Sequence, residues 1–373
     1  MERQKKRTWA EISLGNLEHN VRNMQKQLPE GCKYLGVVKA NAYGHGVIPV
    51  AKRLEEMGVK HLAVACYDEA AELRDAGITA QILILGPSPA YLAKEIVELG
   101  NVVQAVGSLQ AARNLSAELK DTQLSLPVHM KLDTGMCRTG FSVQQSAAME
   151  EAKAALELPN LDFQGVFTHF AVSDEHDDEF TAYQYHAFLR AVGMLEDHQK
   201  HTFSVRHCTN SGAMVNYPGT YMDLVRPGIA QYGLYPGADR GNLDLKPVMQ
   251  LKTRVVEITD HMDGDTISYG RTYTCEGQQR FAVLSIGYAD GLHRALSGKM
   301  DVYINGHKAK QCGRICMDMC MADITELPNV QVGDEVEIFG EHQSVDLLAQ
   351  LADTISYELL CAVSPRVPRI YVD

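Results

Sequence analysis

The 373-residue chain has a single tryptophan and no Cys-x-x-Cys pair. Its nine cysteines are odd in number and scattered, and none stands with histidine at structural-zinc spacing. They read as reduced thiols of a cytosolic protein. Long apolar runs are missing too: segments such as 82–85 are far short of a membrane span. The charged N-terminus is followed by no apolar core, so no secretory signal is expected. Basic residues are in deficit, with 35 Lys and Arg against 47 Asp and Glu and a net charge of −12. That argues against a nucleic-acid or anionic-membrane binder, which needs a basic surface. The basic cluster 3–7 is local and reads as a solvated tail. The acidic stretch 174–179 has no regular ligand spacing and reads as a solvated loop, so no metal site is expected.

Apolar residues are plentiful. At 45% of the chain they exclude disorder as the main state, and the length asks for more than one ordinary domain. Short apolar runs at 34–39, 61–65, 82–85, 102–106, 128–132, 163–168, 205–209 and 223–226 predict strands. Between them, segments such as 50–57, 70–76 and 180–195 carry apolar residues at three- and four-residue spacing, the period of a helix. Eight β-then-α units predict a (β/α)8 TIM barrel. An open doubly wound sheet would favour a Gly-rich turn after the first strand, and no GxGxxG occurs there. The pattern changes near Pro236. Beyond a turn-rich break, 253–258, 281–286, 302–304 and 335–339 predict strands, Asn305-Gly306 predicts a hairpin, and 344–352 predicts a helix. The expected organisation is a barrel over 12–236 and a mainly β domain over 237–373, with residues 1–11 associated with the β domain.

Functional residues of such a barrel cluster at the C-terminal ends of its strands. Lys39 ends the first predicted strand; it reads equally as a snorkelling strand-end lysine or as an amine made nucleophilic by desolvation. Lys131, Asp133 and Arg138 follow the fifth, as a salt-bridge loop or as an anion clamp. His169 ends the sixth, in a structural or a catalytic role. Ser211 and Gly228, in the last two loops, could offer backbone N–H groups to a phosphate. The result is a basic pocket in an acidic protein, made by Lys39, Arg138, His169 and Arg226. A phosphate-bearing aldehyde cofactor would use each element: Lys39 for a Schiff base, the last loops for the phosphate, an arginine for the ring nitrogen.

The run Val37-Val38-Lys39-Ala40-Asn41-Ala42-Tyr43-Gly44-His45-Gly46 resembles the pyridoxal-phosphate attachment motif of alanine racemases. Segments 131–140, 168–170, 210–211, 225–229 and 267–273 agree in order, and 287–291, 313–318 and 366–369 extend the match through the β domain. The resemblance implies pyridoxal 5'-phosphate as cofactor, an amino-acid substrate and a homodimer with shared active sites. It implies Lys39 and Tyr269 of the partner subunit as the two bases. Arg226 would face the ring nitrogen, and Tyr43, Asn210, Ser211, Gly228, Ile229 and Tyr357 would surround the cofactor with His169 and Arg138. Arg138, Met317 and Tyr288 would bind the substrate, supported by Lys131, Asp318 and Cys316, with Lys131 matching a lysine that is carbamylated in some members. The implied product is D-alanine for peptidoglycan. Two positions depart from many members: Cys137 stands for Gly and Gly212 for Ala. A serine-preferring racemase of glycopeptide resistance is the alternative; the retained Tyr357 and the lack of a membrane domain favour alanine. A decarboxylase of the same barrel family is a further alternative, but its Gly-rich phosphate loop and Cys-Asp motif are not evident.

Overall fold

A computed structural model describes residues 6–175, 179–198 and 200–373. Residues 3–5 of the basic cluster and 176–178 of the acidic stretch lie outside the described residues. The chain forms two compact units. One comprises Leu17–Ala42 and Val47–Lys246; the other comprises Met1–Asn16, Tyr43–Gly46 and Pro247–Asp373.

Strand β1 (Thr8–Ser13) belongs to the second unit. The first unit follows with β2 (Lys33–Val37), β3 (His61–Val64), β4 (Gln81–Ile84), β5 (Val102–Val106), β6 (Leu126–Asp133), β7 (Phe141–Ser142), β8 (Leu161–Phe167), β9 (Val205–His207) and β10 (Leu224–Val225). All pair in parallel, in the order β10-β2-β3-β4-β5-β6-β8-β9, with the short β7 beside β6. The end strands meet: Asp223 N–H donates to Arg206 C=O at 3.1 Å and Arg226 N–H to Thr209 C=O at 2.9 Å. The eight expected strands are therefore present as a TIM barrel. The strands are mainly apolar because both faces are covered; β5, for example, is buried at all five positions. The helix Val47–Glu56 buries Val47, Val50, Ala51 and Leu54, the stripe its spacing requires. Two strands stop earlier than the apolar runs suggest, at Val37 and Phe167. Lys39 and His169 thus sit just beyond, two residues past the strand ends.

The second unit is built on β11 (Met249–His261), 13 residues long. After it come β12 (Thr266–Ile267), β13 (Tyr273–Thr274), β14 (Gln279–Leu284), β15 (Asp301–Ile304), β16 (His307–Cys312), β17 (Cys320–Asp323), β18 (Glu335–Phe339) and β19 (Arg369–Val372). The first half of β11 pairs with β18 and β1, and its second half with β14. The pairings β11-β18-β15-β16-β17-β14-β11 close a ring, and β1 joins β11 to β19. Asn305 and Gly306 link β15 to β16 as a two-residue hairpin, with φ of 50° and 80°. Ser344 caps the helix Val345–Leu351 by accepting from Leu347 N–H. Trp9 is fully enclosed here; its N–H donates to Glu11 at 3.0 Å, and the Arg254 guanidinium covers its ring at 4.8 Å. Arg7 corrects the solvated-tail reading: it donates to Ser285 C=O at 2.7 Å and pairs with Asp290 at 2.5 Å. Asp290 is fully buried, and an arginine is the least costly way to keep its charge there.

Candidate active site

The loop after β2 has an uncommon backbone. Ala40, Asn41, Ala42 and Tyr43 have φ of 53°, 53°, 53° and 51°, one turn of left-handed helix. For L-residues this costs ~1–2 kcal/mol each, so the surroundings must impose it. In the barrel unit, Ala42 N–H closes the turn on Val38 C=O at 2.9 Å. Glu69 takes Ala40 N–H on one carboxylate oxygen and Ala65 N–H on the other, both at 2.6 Å. The Asn41 carboxamide accepts from Val47 N–H at 2.8 Å. In the other unit, Gly44 and Gly46 leave no room for a Cβ against Leu360 C=O and the Tyr371 hydroxyl. Half-buried Lys39 begins this held turn.

At the end of β6 the chain folds back sharply. Asp133 accepts from Gly135 N–H at 2.9 Å and Cys137 N–H at 3.1 Å, and Phe141 returns beside Leu132. The loop presents Arg138 to solvent and strains Cys137 to φ 56°. Lys131 is buried below it, its Nζ 5.7 Å from the Phe167 ring centre. Burial pushes this amine down to about 8; Arg138, Arg226 and Lys39 add to the effect and Asp133 opposes it.

Arg226 follows β10 and is almost wholly enclosed. It donates to His207 Nδ1 at 2.7 Å and Thr168 C=O at 2.8 Å, with long contacts to Cys208 C=O at 3.4 Å and His169 Nδ1 at 3.5 Å. Its carbon lies 5.4 Å from the Phe167 centre. No carboxylate shares this enclosure in those contacts, so the guanidinium keeps its charge for another anion or acceptor. Burial lowers it to about 10, which still leaves it cationic at neutral pH. His169 is held well below an ordinary imidazole by burial first, then by Arg226, Arg138, Lys131 and Lys39. It is therefore neutral, and what it offers is an N–H, not the positive charge expected from the sequence.

Past β9, Asn210 caps the short helix Ser211–Asn216 by accepting from Ala213 N–H at 3.0 Å, and it is steadied by Ser173 Oγ at 2.7 Å. Ser211 Oγ accepts from Gly228 N–H at 2.8 Å and Ala230 N–H at 3.3 Å, which ties the last two loops together. Ile229 opens the 3-10 turn Ile229–Tyr232. Gly212 has a local reason: a Cβ would lie 2.6 Å from the backbone of Ser173 and Asp174.

The second unit holds the other expected residues. Tyr43 and Tyr357 face each other with ring centres 6.0 Å apart, and burial raises the Tyr43 hydroxyl far above its usual range. Tyr269 stands at the tip between β12 and β13, flanked by Ser268 at φ 68° and Gly270 at φ 71°, and is 70% exposed. Ser268 Oγ donates to Arg314 C=O at 2.6 Å and lies 3.4 Å from Cys316 Sγ. The 313–318 loop continues to Tyr288: Tyr288 N–H donates to Cys316 C=O and Ala289 N–H to Met317 C=O, both at 3.0 Å. Met317 N–H makes no hydrogen bond among the described residues. Arg366 links Asp318 at 2.6 Å to Asp290 at 2.7 Å, fixing this loop from behind.

The profile of the alanine racemase N-terminal domain matches residues 12–236, and that of the C-terminal domain matches 248–371. The chain belongs to the alanine racemase family. Alanine racemase 1 of Clostridium acetobutylicum is 43% identical over 370 residues, 98% of this chain and 95% of that protein. Alanine racemase of Desulforamulus reducens is 42% identical over 367 residues, 98% of each. Among solved structures, alanine racemase of Clostridium difficile 630 superposes with a TM-score of 0.93 at 38% identity, covering 99% of this chain and 96% of that one. The Bacillus anthracis alanine racemase with bound L-Ala-P gives 0.92 at 35% identity over 99% and 95%. The chain is thus an isomerase that racemises alanine. Alanine racemases as a family depend on pyridoxal phosphate and are typically dimeric. No helix among the described residues is long and apolar enough to cross a membrane.

Sequence reasoning missed three residues near these groups. Glu69 pins the left-handed turn, and His207 and His129 stand behind Arg226. None carries a local signal, because each acts through a partner far away in sequence.

Proposed function

We propose that the chain racemises alanine by a two-base route, with Lys39 on one face of the α-carbon and Tyr269 of a partner subunit on the other, in sites shared across a homodimer. The observation that carries this reading is the basic strand-end group of Lys39, buried Arg226 and neutral His169. The donor set suits pyridoxal 5'-phosphate: a lysine amine, a non-acidic cation for a ring nitrogen, and two tied loops with backbone N–H groups for a phosphate. When bound, that cofactor withdraws electrons from the substrate and acidifies its α-proton. Asn210, Ser211, Gly228, Ile229, Tyr43 and Tyr357 would hold it. Arg226 cannot give up its proton near neutral pH, so it would donate to the ring nitrogen and leave that atom without a proton.

Lys39 would take or return the α-proton on its face once its amine is released. Tyr269 would do the same on the opposite face. A tyrosine phenol is a weak acid that keeps its proton at neutral pH in water. Neutral His169 would lower that barrier by donating an N–H to the phenolate, with Arg226 stabilising the charge from behind. Met317 of the partner subunit would offer its N–H to the substrate carboxylate, with Arg138 as the charged partner, Tyr288 as a further contact, and Asp318 and Cys316 supporting the Met317 loop. Lys131, neutral in part near pH 8, would add through its nitrogen to carbon dioxide and release a proton. The resulting carbamate anion would pair with Arg138 and remove the repulsion between the two cations. The product fits a supply of D-alanine for peptidoglycan, and nine cysteines outside any disulfide fit a cytoplasmic setting.

The test is face-selective exchange in deuterated water. Tyr269→Phe should lose racemisation by at least about a hundredfold, the lower end of what one acid–base group contributes, while one enantiomer of alanine still exchanges its α-proton. Lys39→Ala should lose both reactions. Equal exchange of both enantiomers by Tyr269→Phe would remove Tyr269 from the mechanism.

A further inference from the structure

Arg226 directs Nη1 at an imidazole, 2.7 Å from His207 Nδ1. Guanidinium only donates, so this nitrogen accepts and carries no proton. Burial, then Arg226 and the other histidines, hold His207 well below its usual range. The ring is neutral, and its one proton is on Nε2. That N–H lies 2.9 Å from His129 Nδ1 and must donate to it. Burial pushes His129 down to about 3, so it too is neutral, with its proton on Nε2. Arg226, His207 and His129 therefore form one chain in which every donor points the same way, into the barrel.

The two rings come from β9 and β6, which are separated by β8. They can meet because the residue of β8 opposite His129 is Gly165, where a Cβ would lie 2.5 Å from the His129 ring. Phe167, two residues on, stacks on His207 with centres 4.8 Å apart and planes 7° apart. His129 also lines a small pocket with Lys33, His61 and Gln81. His61 Nδ1 is 3.1 Å from the Gln81 carboxamide oxygen.

We propose that His129 is a positioning residue for racemisation: by accepting from His207 it selects the tautomer that turns the Nδ1 lone pair toward Arg226 and so holds the guanidinium in place. The proposal rests on Arg226 being the partner of the cofactor ring nitrogen. With no acceptor at position 129, His207 must either bury an unpaired N–H or reverse its tautomer and face Arg226 donor to donor. Either change loosens Arg226.

The first readout needs no cofactor. In protein labelled with 15N-histidine, the His207 signals, assigned by their loss in His207→Gln, should report a single neutral ring with Nδ1 unprotonated. His129→Asn, whose amide oxygen stands near the Nδ1 position, should keep that signature. His129→Leu should lose or mix it. With pyridoxal phosphate and alanine added, His129→Leu should lower kcat about tenfold with a smaller change in KM and raise the keto-acid formed per racemisation. His129→Asn should restore both. Should His129→Leu fold poorly, Gly165→Ala displaces the same ring while every polar atom remains, and should move the signals in the same direction. An unchanged His207 tautomer in both disrupting variants overturns the proposal and leaves the reading of Arg226 intact. A lost tautomer with unaltered kcat and product partition overturns both.

Discussion

At the residue scale, conformation and chemistry make opposite demands at two neighbouring loops. Cys137 occupies a left-handed position with φ 56°, which a side chain strains and glycine does not. Cys137→Gly is expected to raise the unfolding free energy by up to ~1 kcal/mol and to leave racemisation unchanged; a fall in the thermal midpoint would contradict this. Gly212 allows no such exchange, because its missing Cβ is the space taken by the Ser173 and Asp174 backbone. The charged residues at the strand ends were legible in the sequence. Lys39, Lys131, Arg138 and Arg226 interrupt or follow apolar runs, and charge there is costly without a use. His129 and His207 were not legible. A lone histidine inside an apolar strand reads as packing, and these two meet only because Gly165 lies between them on a third strand.

At the scale of elements, the barrel strands were legible because both faces are buried, which makes each a short continuous apolar run. The Asn305-Gly306 hairpin was legible because its turn chemistry is local. Strand β16 was implied only through that hairpin signal, because its sequence HKAKQC alternates exposed cations with buried residues and has little apolar character. Strands β1 and β19 escaped because β1 pairs with β11 on one side and β19 on the other, partners distant along the chain. The left-handed turn could not be read at all. Lys-Ala-Asn-Ala-Tyr favours an ordinary right-handed turn, and distant Glu69 helps to reverse it. The barrel's buried histidines carry a prediction. His129, His169 and His207 are all held below the ordinary range of about 6.5. Between the folded and unfolded values the unfolded chain binds more protons, so stability is full above about pH 6.5 and is lost as pH falls. For His129 that loss runs down toward about 3. Urea midpoints should be level from pH 8 to 7 and drop steadily from 6.5 to 5. A flat profile down to pH 5 would contradict the neutral-histidine assignment.

At the scale of the whole molecule, the second unit leaves Tyr269, Tyr288, Met317 and Met319 exposed at 70%, 44%, 53% and 48% on loops joined by hydrogen bonds. Adjacent large apolar side chains in the open are costly for a lone subunit and suit a contact. On the proposed two-base reading, a twofold dimer would use the same patch twice and form two equivalent sites, each with Lys39 from one subunit and Tyr269 from the other. Mixing tests this directly. Lys39→Ala and Tyr269→Phe subunits, each inactive alone, are dissociated, combined in equal amounts and allowed to reassociate. Shared sites predict that hybrids carry one intact site beside one doubly altered site, so racemisation of alanine should recover to about a quarter of native activity with random pairing. If both bases act within one chain, every site in the mixture lacks one of them. Failure of the reassociated mixture to recover any activity would contradict the account.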